Sequence, residues 1–167
     1  MARKQDRRKA SPAATVLTVL VLAALFVWRM LSPEDGKTQI TLPSGELHVW
    51  FLDVGQADSS LLVCDGQAML IDGGNVDDAS YVVSSLEQYG VTSLDYVINT
   101  HCDEDHVGGL AGVLAKFPAE HVWSSTAEYG TKAFSNFVKY ANEQGRDIEI
   151  PSPGDTFTLG EAEITVL

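Results

Sequence analysis

Apolar and polar positions along the chain follow two regimes that meet near Ser32. From Ala10 to Trp28 no residue is charged, and the run VLTVLVLAALFVW that begins at Val16 is apolar on every side of a helix. Those 19 residues, at ~1.5 Å per residue, make about 28 Å of helix, close to the ~30 Å hydrocarbon core of a bilayer. From Glu46 onward the apolar runs become short. LHVWFLDV, SSLLVCD and QAMLID are rich in Val, Ile, Leu and aromatics, and Gly-containing turns (GQAD, DGQ) split them, the signature of strands. Asp78 to Tyr89 places Tyr81, Val82, Leu86 and Tyr89 at helical spacing, with Gly90 as the stop. Leu94 to Thr100 is apolar nearly throughout, as a buried strand is. Val107 to Phe117 reads as a helix, His121 to Trp123 as a short strand, and Lys132 to Gln144 as an amphipathic helix. TFTLGEAEITVL reads as a hairpin about Leu159-Gly160-Glu161. The chain reaches Leu167 inside a strand pattern, so the domain is expected to be incomplete at its C-terminus.

The apolar run fits an uncleaved signal anchor. Five basic residues (Arg3, Lys4, Arg7, Arg8, Lys9) precede it, which predicts a cytoplasmic N-terminus and an extracytoplasmic remainder. Secretion after signal cleavage is the alternative, but the run ends in bulky Phe-Val-Trp-Arg-Met-Leu rather than a small-x-small site. A lipoprotein needs a cysteine just after the run, and none occurs before Cys64. The expected organisation is a basic tail over 1–9, a transmembrane helix over 10–31, a linker over 32–45 and a globular domain over 46–167.

Composition sharpens this division. A hydrophobic fraction of 45% with 20% charged residues excludes a disordered tail and a collagen-like fibre. Two cysteines, Cys64 and Cys102, exclude a disulfide scaffold; strand-borne Cys64 is expected to pack as a small hydrophobe. The net charge of −12 averages two unlike pieces: residues 1–32 carry +5, and the rest carries −17.

The chemistry concentrates in Thr100-His-Cys-Asp-Glu-Asp-His-Val-Gly-Gly109, directly after the buried strand. In an extended segment alternate side chains share a face, so His101, Asp103 and Asp105 are expected to converge while Cys102 and Glu104 point elsewhere. His106 enters as the chain turns into the helix, and Gly108 and Gly109 allow close backbone approach. Imidazole with carboxylate suits Zn, Mn or Fe, and the share of oxygen donors tilts toward Mn. Asp72, closing QAMLID, is placed to orient a ligand histidine or simply to form an Asp-Gly turn. Asp53 and Asp58 lie in a second acidic turn. His48 and His121 sit in strand patterns, away from the acidic cluster, and read as packed or surface residues.

Three stretches, FLDVGQADS, MLIDGG and THCDEDHVGG, together resemble the metallo-β-lactamase superfamily, and within it the branch related to the DNA-uptake protein ComEC. The superfamily pattern HxHxDH appears here as HxDxDH, with Asp103 in place of the second histidine, and Ala57 replaces a glycine of the first stretch. The resemblance implies an α+β fold, a four-layer α/β/β/α sandwich, here truncated. It implies two divalent metal ions (Zn or Mn), with His101 and Asp103 on one and Asp105 and His106 on the second. Asp72 would support them from outside, and Asp53 and Asp58 would lie in the loop beside the site. Asp105 would also orient the attacking water. A further His, a bridging Asp and a last His would be needed to complete the site; His121 is too close to the motif to be one of them. The implied activity is metal-dependent hydrolysis, first of a phosphodiester such as nucleic acid. Another ester or amide, or a non-catalytic anchored binding module, are the alternatives. No protein partner is inferable.

Overall fold

The structure, a computed structural model, describes residues 42–167 and the isolated positions 21 and 23. The expected transmembrane helix therefore lies outside the described residues but for those two positions. Among the described residues no helix is long and apolar enough to cross a membrane.

Among residues 42–167, eight strands and four α-helices follow one another. β1 (His48–Phe51), β2 (Ser60–Cys64) and β3 (Gln67–Ile71) form an antiparallel meander. A short 3-10 turn (Val76–Asp78) and α1 (Ala79–Gln88) lead to β4 (Leu94–Asn99). α2 (Glu104–Val107) and α3 (Leu110–Lys116) lead to β5 (Ala119–Ser124), and α4 (Lys132–Glu143) to β6 (Ile148–Glu149). β3 to β6 run parallel, giving one six-stranded sheet in the order β1-β2-β3-β4-β5-β6. β7 (Thr156–Leu159) and β8 (Ala162–Thr165) make a separate hairpin.

Strand alternation assigns the layers. Leu61, Val63, Leu70, Val97 and Val122 point to one face and share a core with Val82, Leu86, Val113, Phe134 and Phe137 of the helices. Leu62, Cys64 and Met69 point to the other face and meet Leu159 and Phe157 of the β7–β8 hairpin. β2 is apolar and buried from Leu61 to Cys64 because both faces are covered. Among the described residues the arrangement is thus α/β/β, three layers of the expected four. Both cysteines are buried and free.

Several elements differ from the sequence expectations. LHVWFLDV pairs only over His48–Phe51. From Leu52 the chain leaves the sheet in a loop that Leu52 N→Ser59 O (2.9 Å) closes. The helix expected over 107–117 is two pieces divided at Gly108-Gly109, and its first turn starts earlier, at Glu104. Asp105 is therefore helical, and the extended alternation that was to align it with His101 and Asp103 stops at Asp103. The two-residue β6 and the 3-10 turn carry too short a pattern to be seen in the sequence. The end of the expected linker is fastened to the domain: Leu42 packs on the main core, and Ser44 Oγ (2.9 Å) and Gly45 N (2.8 Å) both donate to Asp65. Asp65 and Gly66, with φ of 50° and 83°, make the tight β2–β3 turn.

Candidate metal centre

The loops that follow β3, β4 and β5 all emerge at the carboxyl end of the parallel strands, the end where open α/β sheets gather ligands. Four backbone hydrogen bonds lock three distant stretches together there. Asp58 N donates to Asp105 O (3.0 Å), Gly74 N to Asp58 O (2.8 Å), Gly73 N to His106 O (2.7 Å) and Gly109 N to Gly74 O (3.1 Å). The glycines are what permit this approach. A Cβ on Gly109 would lie 2.0 Å from Gly73 O, and one on Gly108 2.4 Å from Val76 N.

Asp72 is the hub of the cluster. It is 3% exposed and sits at φ 58°, a left-handed conformation that costs most residues energy and that Asp tolerates better. Every polar group it has is engaged. Its N–H donates to Ile98 O (2.8 Å), and its carbonyl accepts from Ser59 Oγ (3.0 Å). Its carboxylate accepts from Thr100 N (2.8 Å) and Thr100 Oγ1 (2.5 Å), and His106 Nδ1 lies 3.0 Å from Oδ2. A carboxylate on Nδ1 places the proton on that nitrogen and leaves Nε2 bare, the arrangement of a metal-binding histidine. Burial pulls the His106 pKa down, but the hydrogen bond to Asp72 and the charges of Asp72, Asp105 and Asp58 outweigh it, so the net shift is upward from 6.5.

The remaining candidates gather about His106 to different degrees. The His101 and His106 rings lie 5.0 Å apart between centroids. His101 Nε2 stands 3.3 Å from Asp103 Oδ2, and His106 Nε2 stands 3.7 Å from Asp58 Oδ2. Two ligands about 2.1 Å from one cation at a tetrahedral angle are about 3.4 Å apart, so both pairs have the spacing of donors that share an ion. Among the described residues no three His, Cys, Asp or Glu side chains close on one point, so these pairs amount to part of a coordination shell. Asp105 faces the cluster through its charge on His106 and through its carbonyl. Asp53 is exposed in the same loop as Asp58, and no hydrogen bond or ion pair joins it to the cluster among the described residues. Cys102 turns inward, where Asn99 Nδ2 approaches its Sγ at 3.3 Å.

Two contributors were not foreseen from the sequence. Thr100 supplies two of the bonds to Asp72. Tyr129, from the loop between β5 and α4, donates its hydroxyl to Asp103 Oδ1 (2.9 Å); that bond and the Asp103 charge raise the phenol pKa above 10.0. His121 lies on the face of the sheet that the β7–β8 hairpin covers, stacked on Tyr96 (4.9 Å) and 3.0 Å from Glu149 Oε1, and His48 stacks on Trp50 (5.8 Å). A cavity lined by Leu42, Val63, Ala68 and Tyr89 lies at the amino ends of the parallel strands and shares no residue with the cluster.

A histidine buttressed by a buried carboxylate, beside further His and Asp donors at the carboxyl end of an α/β/β sandwich, defines a metallohydrolase-type scaffold. The chain belongs to the Metallo-beta-lactamase superfamily, whose pattern matches residues 52–166. Similar proteins include Recombination protein 2 of Haemophilus influenzae, 29% identical over 132 residues, which are 74% of this chain and 16% of that protein. Competence protein ComA of Neisseria gonorrhoeae is 33% identical over 112 residues, 66% of this chain and 15% of that protein. Both support the ComEC-like branch. The anaerobic nitric oxide reductase flavorubredoxin of Aliivibrio salmonicida is 30% identical over 110 residues, 65% of this chain and 21% of that protein. The chain thus spans less than a quarter of the length of these relatives. Among solved structures, the subclass B3 metallo-β-lactamase MEM-A1 from a soil metagenome superposes with a TM-score of 0.55 at 19% identity, over 77% of this chain and 53% of that one. That likeness is one of fold.

Proposed function

We propose that the chain is the hydrolase portion of a ComEC-like phosphodiesterase or nuclease, held outside the membrane by its N-terminal apolar segment. The observation that carries this reading is His106, fixed through Nδ1 by buried Asp72 at the point where all three motif stretches meet. Support for a nucleic-acid substrate comes from the competence and recombination relatives. His101 and Asp103 would hold one divalent cation, Asp105 and His106 a second. When bound, two such ions supply Lewis-acid activation of a water and polarise the bond under attack. The chain's own residues do the rest. Asp72 keeps His106 in the tautomer that presents Nε2, Asp105 orients the attacking water, and the glycine-bridged backbone holds the donors in register.

The test is hydrolysis of bis(p-nitrophenyl) phosphate and of single-stranded DNA by the full-length protein with Zn²⁺ or Mn²⁺. Asp105→Ala and His106→Ala should each abolish turnover; unchanged rates in both would overturn the site assignment. One observation favours a second reading, hydrolysis of another ester or amide. Residues 33–167 carry −17, whereas nucleic-acid binding usually relies on a basic surface. Turnover of a neutral ester with no cleavage of either phosphodiester would select that reading.

A further inference from the structure

Asp103 stands where the superfamily pattern has a histidine, and the exchange changes what the surrounding protein must provide. A ligand imidazole has a spare N–H and needs an acceptor behind it, which is what Asp72 gives His106. A ligand carboxylate has a spare oxygen and needs a donor behind it. Asp103 begins the one-turn α2 as its N-cap, a position where Asp ordinarily accepts from the helix backbone, yet its side chain makes no capping bond. Instead Oδ1 accepts from the Tyr129 hydroxyl at 2.9 Å, while Oδ2 faces His101 Nε2 at 3.3 Å.

We propose that Tyr129 is the positioning residue of Asp103, occupying Oδ1 so that Oδ2 alone is presented, on the His101 side, to a divalent cation. This rests on the metal-centre reading above. The phenol is well placed for the task. Its ring packs edge-on against Phe134 (6.2 Å between centroids), and Thr131, two residues on, caps α4 by accepting from Phe134 N. The loop ahead of it is tied by Thr126 Oγ1, which donates to Glu128 O (3.1 Å). The hydroxyl is thus delivered from a braced segment, although the residue is 44% exposed. Without that donor the carboxylate is free to turn about its last torsion and offer either oxygen.

The experiment measures Zn²⁺ affinity of the full-length apo-protein by chelator competition, with no turnover required. Tyr129→Phe keeps the ring and removes only the donor, so it should weaken binding by about 10–100-fold, the usual effect of removing a residue that orients a ligand. In an Asp103→Ala background the same substitution should change affinity less than twofold. Phe134→Leu, which loosens the brace but keeps the hydroxyl, should weaken binding by clearly less than Tyr129→Phe does. An unchanged affinity in Tyr129→Phe while Asp103→Ala weakens binding overturns the role of Tyr129 and leaves the metal centre standing. So does an equal loss in both backgrounds, or a loss in Phe134→Leu as large as that in Tyr129→Phe. Insensitivity to both Asp103→Ala and Tyr129→Phe overturns the metal-centre reading together with the proposal.

Discussion

Asp72→Asn isolates orientation from fold, because it alters hydrogen-bonding polarity with almost no change of shape. The wild-type carboxylate serves two donors that cannot be given up and one that can. Thr100 N (2.8 Å) has no alternative as a backbone N–H, and His106 Nδ1 (3.0 Å) must carry a proton if Nε2 is to bind a cation. The Thr100 hydroxyl (2.5 Å) can rotate and become an acceptor. An amide offers a single oxygen. With that oxygen on Thr100 N, the NH₂ faces His106, and the imidazole adopts the opposite tautomer, protonated at Nε2. The apo-protein tolerates this, so its stability should fall by only about 1–2 kcal/mol, the difference between charge-assisted and neutral bonds.

Cation binding then demands the original tautomer and leaves one buried N–H facing another. An unsatisfied donor of that kind costs about 1–3 kcal/mol, which corresponds to roughly 6–150-fold in affinity. Zn²⁺ or Mn²⁺ titration calorimetry on the full-length protein should show that loss, and ¹⁵N spectra of the histidines should show His106 moving from the Nδ1–H to the Nε2–H form. An affinity within twofold of wild type, or an unchanged His106 tautomer, would refute the reasoning.

Gly109→Ala should destabilise the fold by about 3 kcal/mol or more, since its Cβ would meet Gly73 O at 2.0 Å and both atoms belong to backbone. Gly130→Ala, where a Cβ meets nothing within 4 Å, should stay within about 0.5 kcal/mol; comparable denaturant midpoints for the two would count against the close-approach account. Asp65 has its pKa lowered from 3.8 by the bonds from Gly45 N, Ser44 Oγ and Glu161 N, and a depressed folded pKa contributes stability above the unfolded value that is lost as pH falls through the folded one. The stability gap between wild type and Asp65→Asn should therefore be full above 3.8 and close below it; a constant gap from about pH 2 to pH 7 would contradict this.

The strands, the helices and the cluster of candidate ligands were legible because each leaves a local mark. Leu94–Thr100 is a continuous apolar run, Lys132–Gln144 has helical spacing, and the motif residues crowd into six positions. What was hidden is non-local. Nothing in the order of residues says that the Asp58 amide bonds the Asp105 carbonyl, or that Tyr129 reaches back across 26 positions to Asp103. The two glycines signal a close approach, but the helical break at Gly108-Gly109 leaves no local mark, because the neighbours that demand glycine, Gly73 to Val76, lie more than 30 positions earlier. The extended reading of Asp105 failed for a more ordinary reason. Glu104 and Asp105 suit the first turn of a helix, and Asp103 suits its N-cap, so the acids that mark a ligand set also start α2.

The acidity of the chain bears directly on the proposed substrate. A phosphodiester approaching residues 33–167, with their −17, meets net repulsion, but the charges are not equivalent. Asp58, Asp72, Asp103 and Asp105 gather at the cluster, and two divalent ions there would cancel those four negative charges, leaving a nearly neutral mouth. The rest of the repulsion comes from carboxylates spread over the surface, which salt screens beyond about 8 Å at physiological strength. A long polyanion feels many of them at once, and a small diester feels few. Raising NaCl from about 50 to about 200 mM should therefore lower KM for single-stranded DNA and leave KM for bis(p-nitrophenyl) phosphate nearly unchanged. This is opposite in sign to a basic binder, whose affinity falls steeply over the same range as counterions are released. A KM for DNA that rises with salt would mean that the strand is held by a basic surface outside these residues, and that the acidic domain plays little part in the encounter.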